Sequence, residues 1–154
     1  MRRLLAVLPA LLLLLAPTPP HAQTTAGPPH AWLFGAWTGG MFPAPSFLTA
    51  QECLAQPTVI FTRDLVMRAT LTDATYIQRI VESARATSSG TDFHFTGGSV
   101  SGASSNLLDL NQGPLPGFGC ASPDELRVER RGPNEISFPD CADFPYPLVR
   151  CPGR

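Results

Sequence analysis

The amino terminus constrains this chain more than any other feature, because it sets the compartment in which the rest must fold. Met1-Arg2-Arg3 is charged, Leu4 to Ala16 is apolar with an unbroken leucine run from Leu11 to Leu15, and Pro17 to Gln23 is polar and proline-rich around the small residue Ala22. That order is the charged, apolar and cleavage regions of a secretory signal. A membrane anchor needs roughly 20 apolar residues to cross the hydrocarbon core. This run is shorter, holds Pro9, and is followed by Pro17, Pro19 and Pro20, which stop a helix. Residues 1–22 therefore read as a signal peptide cut after Ala22, with a site a few residues later as the alternative because Pro20 lies close before the cut. No cysteine lies near it, which argues against a lipid-modified terminus. The expected destination is periplasmic or secreted, with no stable membrane insertion after cleavage.

Cys53, Cys120, Cys141 and Cys151 all lie in the expected mature part. An even number of cysteines in an exported chain reads as two disulfides, since the compartment is oxidising. Structural zinc sites pair ligands two to four residues apart, and no two of these cysteines are so close. Nor is there a Cys-x-x-Cys redox pair. Sequence leaves three connectivities open. Cys120 and Cys141 flank a predicted hairpin and make one attractive pair. The reading leans instead to Cys53–Cys120 with Cys141–Cys151, because Pro145 and Pro147 suit a rigid loop between the last two.

What remains after cleavage is about 130 residues, the size of one domain. Residues 23–30, rich in Thr, Ala, Gly and Pro, read as a flexible leader, and 31–154 as a single β-rich domain. The formal net charge is −1 and no basic patch is visible, which argues against nucleic acid and anionic membranes as partners. Every basic residue except histidine is arginine. With the abundant Ala, Pro and Gly, this matches the coding bias of a GC-rich bacterium.

Ala31 to Met41 reads as a first strand ending at Gly39-Gly40, and a short helical turn fits Ala50 to Ala55. Thr58 to Thr62 is β-branched and aromatic, and Arg63-Asp64 suits a tight turn. Leu65, Met67, Ala69 and Leu71 then alternate with Val66, Arg68 and Thr70, the period of a half-buried strand. Tyr76 to Thr87 is ambiguous. Ile77, Ile80, Val81 and Ala84 have helical spacing, yet the turn signal Ser88-Ser89-Gly90 and the alternating Thr91 to Phe95 make a hairpin the preferred reading. The clearest hairpin is Glu125 to Arg131 with Asn134 to Phe138, around Gly132-Pro133. The one-sided core then comprises Leu65, Met67, Leu71, Leu126, Val128, Ile136 and Phe138. Leu107 to Leu110 is a segment that can pack on it, and the tail after Pro139 has no period. The expected fold class is all-β, a small antiparallel barrel or curved sheet with disulfide-held loops; the alternative is α+β with one helix near 76–87.

Catalytic signals are few. His30 falls in the leader, and His94 lies on the strand face opposite Phe93 and Phe95, where solvent is expected. Gly98-Ser99-Val100-Ser101-Gly102 has valine where a nucleophile elbow needs serine. No phosphate loop, zinc motif or calcium loop occurs, so no cofactor is expected. Asp124, Glu125, Glu129, Glu135, Asp140 and Asp143 gather near the C-terminus among Arg127, Arg130 and Arg131. They read as a solvated hairpin face with cross-strand ion pairs.

Gly35-Ala36-Trp37 on the first strand resembles the Gly-x-Trp that opens lipocalin-like barrels. That resemblance implies a tryptophan plugging one barrel end and an interior that holds a small apolar ligand. Several small periplasmic inhibitor barrels begin with a comparable strand. As a whole the chain resembles the uncharacterised exported proteins of GC-rich proteobacteria, a likeness that brings no activity with it. The functional expectation is a non-enzymatic envelope protein binding a partner protein or a small apolar ligand, with Trp32, Phe34 and Trp37 in the core or at a pocket mouth. The alternative is a small secreted hydrolase using carboxylates near the C-terminal hairpin.

Overall fold

The computed structural model describes residues 27–73, 76–99 and 117–153. Residues 1–22, read above as a signal peptide, Leu107 to Leu110 and the end of the Gly98 to Gly102 motif lie outside them.

Among the described residues eight strands form in chain order: β1 Gly35–Gly39, β2 Thr58–Phe61, β3 Leu65–Ala69, β4 Ile77–Ala86, β5 Gly90–Ser99, β6 Glu125–Gly132, β7 Glu135–Ser137 and β8 Leu148–Arg150. Each pairs antiparallel with the next, and β8 pairs back onto β1 through Trp37↔Arg150, so the sheet closes into a barrel. Closure removes the free edges that an open sheet exposes. One short helix, α1 Ala50–Leu54, lies in the β1–β2 connection, where a helical turn is expected. The all-β barrel expectation holds.

The α+β alternative is overturned, because β4 pairs along its length with β3 and β5. Its helix-like spacing has a cause. The register shifts between Arg79 and Val81 and again between Val81 and Ser83. Such bulges add a residue and change which side chains face inward. Val81 and Ala84 therefore both pack on the core although three positions apart.

Three further expectations are corrected. Ala31–Leu33 is a 3-10 turn rather than the start of β1, with Leu33 N and Phe34 N donating to His30 O and Ala31 O. Gly35, at φ 117°, adopts a backbone open to glycine and swings the chain into β1. The tail contains β8, too short at three residues to show a period. The third correction is the phase of β3. Val66 and Arg68 are buried, Leu65 and Met67 are half-buried, and Leu71 is 64 % exposed. Side chains alternate at period two, so an error of one residue inverts the whole strand. Ile60↔Met67 and Leu65↔Ile80 instead pair across the half-buried outer wall.

Leu126, Val128, Ile136 and Phe138 are buried as expected. The interior is filled by side chains around Trp37, with Phe61, Phe93, Phe95, Phe118, Phe138 and Phe144 in mutual ring contact at centroid distances of 5.5–6.3 Å. Each such pair adds about 0.5–1.5 kcal/mol beyond area burial.

The disulfides are Cys53–Cys151 and Cys120–Cys141, with no free cysteine among the described residues. Two bridges are as expected, but the favoured connectivity is not. β8 returns to β1, so Cys151 N donates to Ala36 O at 2.9 Å and Cys151 meets α1 beside the same strand. Cys141 sits in the β7–β8 connection against Gly119, whose carbonyl accepts from Ala142 N.

Candidate functional site

The two barrel ends differ. One carries the short connections 62–64, 87–89 and 133–134 together with the 3-10 turn. The other carries the long connections from β1 to β2, β3 to β4, β5 to β6 and β7 to β8.

The short-turn end is shut by side chains. Trp37 is fully buried, and its Nε1 donates to Leu33 O at 2.7 Å. Trp32 is half-buried. Its Nε1 donates to Thr91 Oγ1 at 3.1 Å, and the Arg130 guanidinium lies 4.1 Å from its ring centre. Arg150 lies over Trp37 in the same way and donates to the Phe34 and Trp32 carbonyls. Burial and the neighbouring Arg130 charge lower the Arg150 pKa from its ordinary value. Phe34 packs edge-on against His30. Trp32, Phe34 and Trp37 are thus gathered at one end, in the seal of the barrel.

His30 is not part of a loose leader. It is buried, its ring is edge-on to Phe93, and Nε2 stands 3.0 Å from Arg63 O. A carbonyl only accepts, so Nε2 carries the hydrogen. Nδ1 has no partner among the described residues. His94 is exposed as expected, with Nε2 3.4 Å from Glu82 Oε2.

At the long-loop end two arginines face into the barrel. Arg79 sits on β4 opposite the inward Val66, and Arg68 sits on β3 opposite Val59 and Ile77. Isolated buried charge is costly, so each must find a partner. Arg68 Nη1 donates to Asp143 Oδ2 at 2.6 Å, and its Nη2 lies 3.8 Å from Asp73. Arg79 donates to Asp124 and to Pro123 O, and its guanidinium packs 5.3 Å from the Phe95 ring centre. The two arginines therefore act as posts from inside the barrel, each fixing connections above it. Sequence reading missed them because their aspartates lie 45 and 75 residues away along the chain.

The large exposed apolar side chains among the described residues are Phe42, Phe47, Leu71 and Tyr146, all on connections of this same end. Tyr146 N donates to Gly40 O, and Gly40 N to Pro147 O, which holds the first and last of these connections together. A side chain at Gly40 would meet Phe144 at 2.6 Å, so that position needs glycine.

Two open grooves flank Cys141. One, of about 470 Å³, runs between β5–β6 and the Pro139–Cys141 turn, with Arg85, Asp92, His94, Glu125, Arg127 and Asp140 on its sides. The other, of about 540 Å³, is lined more by apolar groups, including Phe138, Phe144, Pro145 and Pro147. Three of the six acidic residues near the C-terminus are tied to arginine, Asp124 to Arg79, Asp143 to Arg68 and Glu129 to Arg131, while Asp92 on β5 holds Arg127. No group of three His, Cys, Asp or Glu residues placed to hold a metal occurs among the described residues. No helix among them is long and apolar enough to cross a membrane. Comparison of the chain with protein-family models, curated proteins and solved structures finds no match.

Proposed function

We propose that this chain is an exported, non-enzymatic envelope protein that binds a partner protein through the long-loop end of its barrel. The observation that carries this reading is the division of apolar surface. The described interior is packed with the protein's own aromatic side chains, while Phe42, Phe47, Leu71 and Tyr146 stand exposed at one end. Exposed aromatic residues on a braced loop platform suit protein docking, where aromatic anchors supply most of the binding energy. Two disulfides without a free cysteine agree with an oxidising compartment, and the charged-apolar-cleavage layout of the first residues supplies the route there.

Capture from periplasmic extract tests the reading, with the protein and a Phe47→Ser, Tyr146→Ser variant as paired baits. Phe47 is 92 % exposed, so its loss leaves the fold intact. A partner retained by the first and released by the second supports the proposal. Equal capture by both removes the long-loop end as the docking surface. Export is tested by intact mass, which should place the mature terminus between Gln23 and Pro28.

A further inference from the structure

Within the closed barrel, β7 covers only part of β6 among the described residues. β6 runs from Glu125 to Gly132, but its pairing with β7 starts only at Glu129↔Ser137. The orientation of the ladder fixes which backbone groups this leaves over. Asp124 O accepts from Phe95 N, and Arg130 N donates to Ser89 O. In an antiparallel ladder alternate residues bond to the same neighbour, so Leu126 and Val128 also face β5, while Glu125 and Arg127 face the β7 side. No backbone partner for those two occurs there among the described residues. β7 ends at Ser137; beyond it Pro139 has no N–H to give the Arg127 carbonyl, its own carbonyl accepts no bond from Arg127 N, and Asp140, at φ 60°, turns the chain aside. The Cys120–Cys141 disulfide holds the turn in that position. The 470 Å³ groove borders this gap.

We infer that Glu125–Arg127 is a docking edge for an extended, basic peptide segment of another protein, which joins β6 as an added strand. This site lies on the side wall and goes beyond the aromatic loop end proposed above. Strand addition draws affinity from main-chain hydrogen bonds and specificity from alternate side chains. Here the charges define the specificity. Arg127 is neutralised by Asp92 at 3.1 Å across β5–β6. Glu125 and Asp140, on opposite sides of the gap, have no cationic partner among the described residues. An arginine or lysine at the centre of the added strand meets both. The free stretch is short and bears charged outward groups, two features that keep such an edge from pairing with itself.

The test uses the mature protein with both disulfides formed, labelled with nitrogen-15. The probes are acetylated, amidated pentapeptides of valine and threonine with a central arginine or a central glutamate. In the free protein the Arg127 amide should exchange about a hundredfold faster than that of Val128, since local opening energies follow backbone pairing. The arginine peptide at millimolar concentration should slow that exchange and shift the Glu125, Arg127 and Asp140 amides. The glutamate peptide should bind at least about fivefold more weakly, and Glu125→Gln with Asp140→Asn should narrow the difference. Asparagine tolerates the left-handed backbone at Asp140, which keeps that variant folded. An Arg127 amide already protected in the free monomer overturns the inference, because the chain then fills its own edge. Protection that grows with protein concentration overturns it in favour of a second copy. Absence of any shift at Arg127 with the arginine peptide overturns it outright.

Discussion

The guanidinium of Arg150 lies 4.2 Å from the ring centre of Trp37, joining the last strand to the first at the point where the barrel closes. Its Nη1 and Nη2 donate to Phe34 O at 2.8 Å and Trp32 O at 2.6 Å, so one side chain fastens β8, β1 and the 3-10 turn together. Arg150→Ala removes the ring contact and strips two carbonyls of their donor. The expected loss is about 2–3 kcal/mol in urea unfolding. Arg150→Lys should recover less than half of it, since an ammonium does not reproduce a planar fork over an aromatic face. A lysine variant as stable as the parent would show that charge alone is sufficient.

The disulfide pairing gives a sharper test. Peptide mapping without reductant should recover Cys53 linked to Cys151 and Cys120 linked to Cys141. The first bridge spans 98 residues and the second 21. Loop-closure entropy favours the longer one, so replacing Cys53 and Cys151 by serine should cost more, roughly 3–5 kcal/mol against 2–4 for the other pair.

Much of this barrel is legible in the sequence. Gly35-Ala36-Trp37, Thr58 to Phe61 and the hairpin around Gly132-Pro133 announce themselves by composition and period, and all form strands. What escapes reading does so for physical reasons. β8 is held by its neighbours rather than by its own pattern. The inward Arg68 and Arg79 contradict an apolar pattern, and the aspartates that make them tolerable come from remote loops. The aromatic loop end is invisible in sequence because Phe42, Phe47, Leu71 and Tyr146 are scattered along the chain and meet at one end only through topology.

The arginine posts should respond asymmetrically. Arg79 is almost fully buried, whereas the Asp124 side chain is 40 % exposed. Asp124→Ala leaves a buried cation with Pro123 O as its one hydrogen-bond acceptor among the described residues, beside the Phe95 ring, while Arg79→Leu leaves a carboxylate that can turn to water. Removing one partner of a buried pair usually costs 3–5 kcal/mol, and the exposure of Asp124 reduces this to about 1–3. Asp124→Ala should therefore destabilise more than Arg79→Leu, as read by thermal unfolding of both variants.

Acid should loosen α1 before the barrel. Glu52 and Thr49 form a reciprocal cap, with Thr49 N donating to Glu52 Oε2 and Glu52 N to Thr49 Oγ1. Hydrogen bonds from the Thr49 backbone and side chain lower the Glu52 pKa. A depressed carboxylate pKa contributes stability above its unfolded value, and that contribution is lost as pH falls through the folded one. Protection factors at Glu52 and Cys53, taken against the intrinsic exchange rate at each pH, should fall on acidification while that at Val59 stays high. Glu52→Gln, which keeps the box geometry without the charge, should flatten the response.

The phase of β3 supplies the most direct check on the barrel itself. Val66 is fully buried between Phe61 on β2 and Arg79 on β4, whereas Met67 is half-buried on the outer wall opposite Ile60 and Gln78. If apolar alternation alone decided the strand, Met67 would be the core residue. Truncation at a packed site costs the transfer energy of the lost groups and the cavity left behind; on a partly open wall the cavity term falls away. Val66→Ala should therefore lower stability by about 2 kcal/mol, and Met67→Ala, although it removes more atoms, by about 1 kcal/mol or less. A polar pair makes the contrast larger. Val66→Asn buries an amide among apolar groups and should prevent folding or cost more than about 3 kcal/mol, while Met67→Asn reaches solvent and stays near the alanine value. The reverse order would shift β3 by one residue, expel Arg68 from the interior and undo the posts that brace the long-loop end.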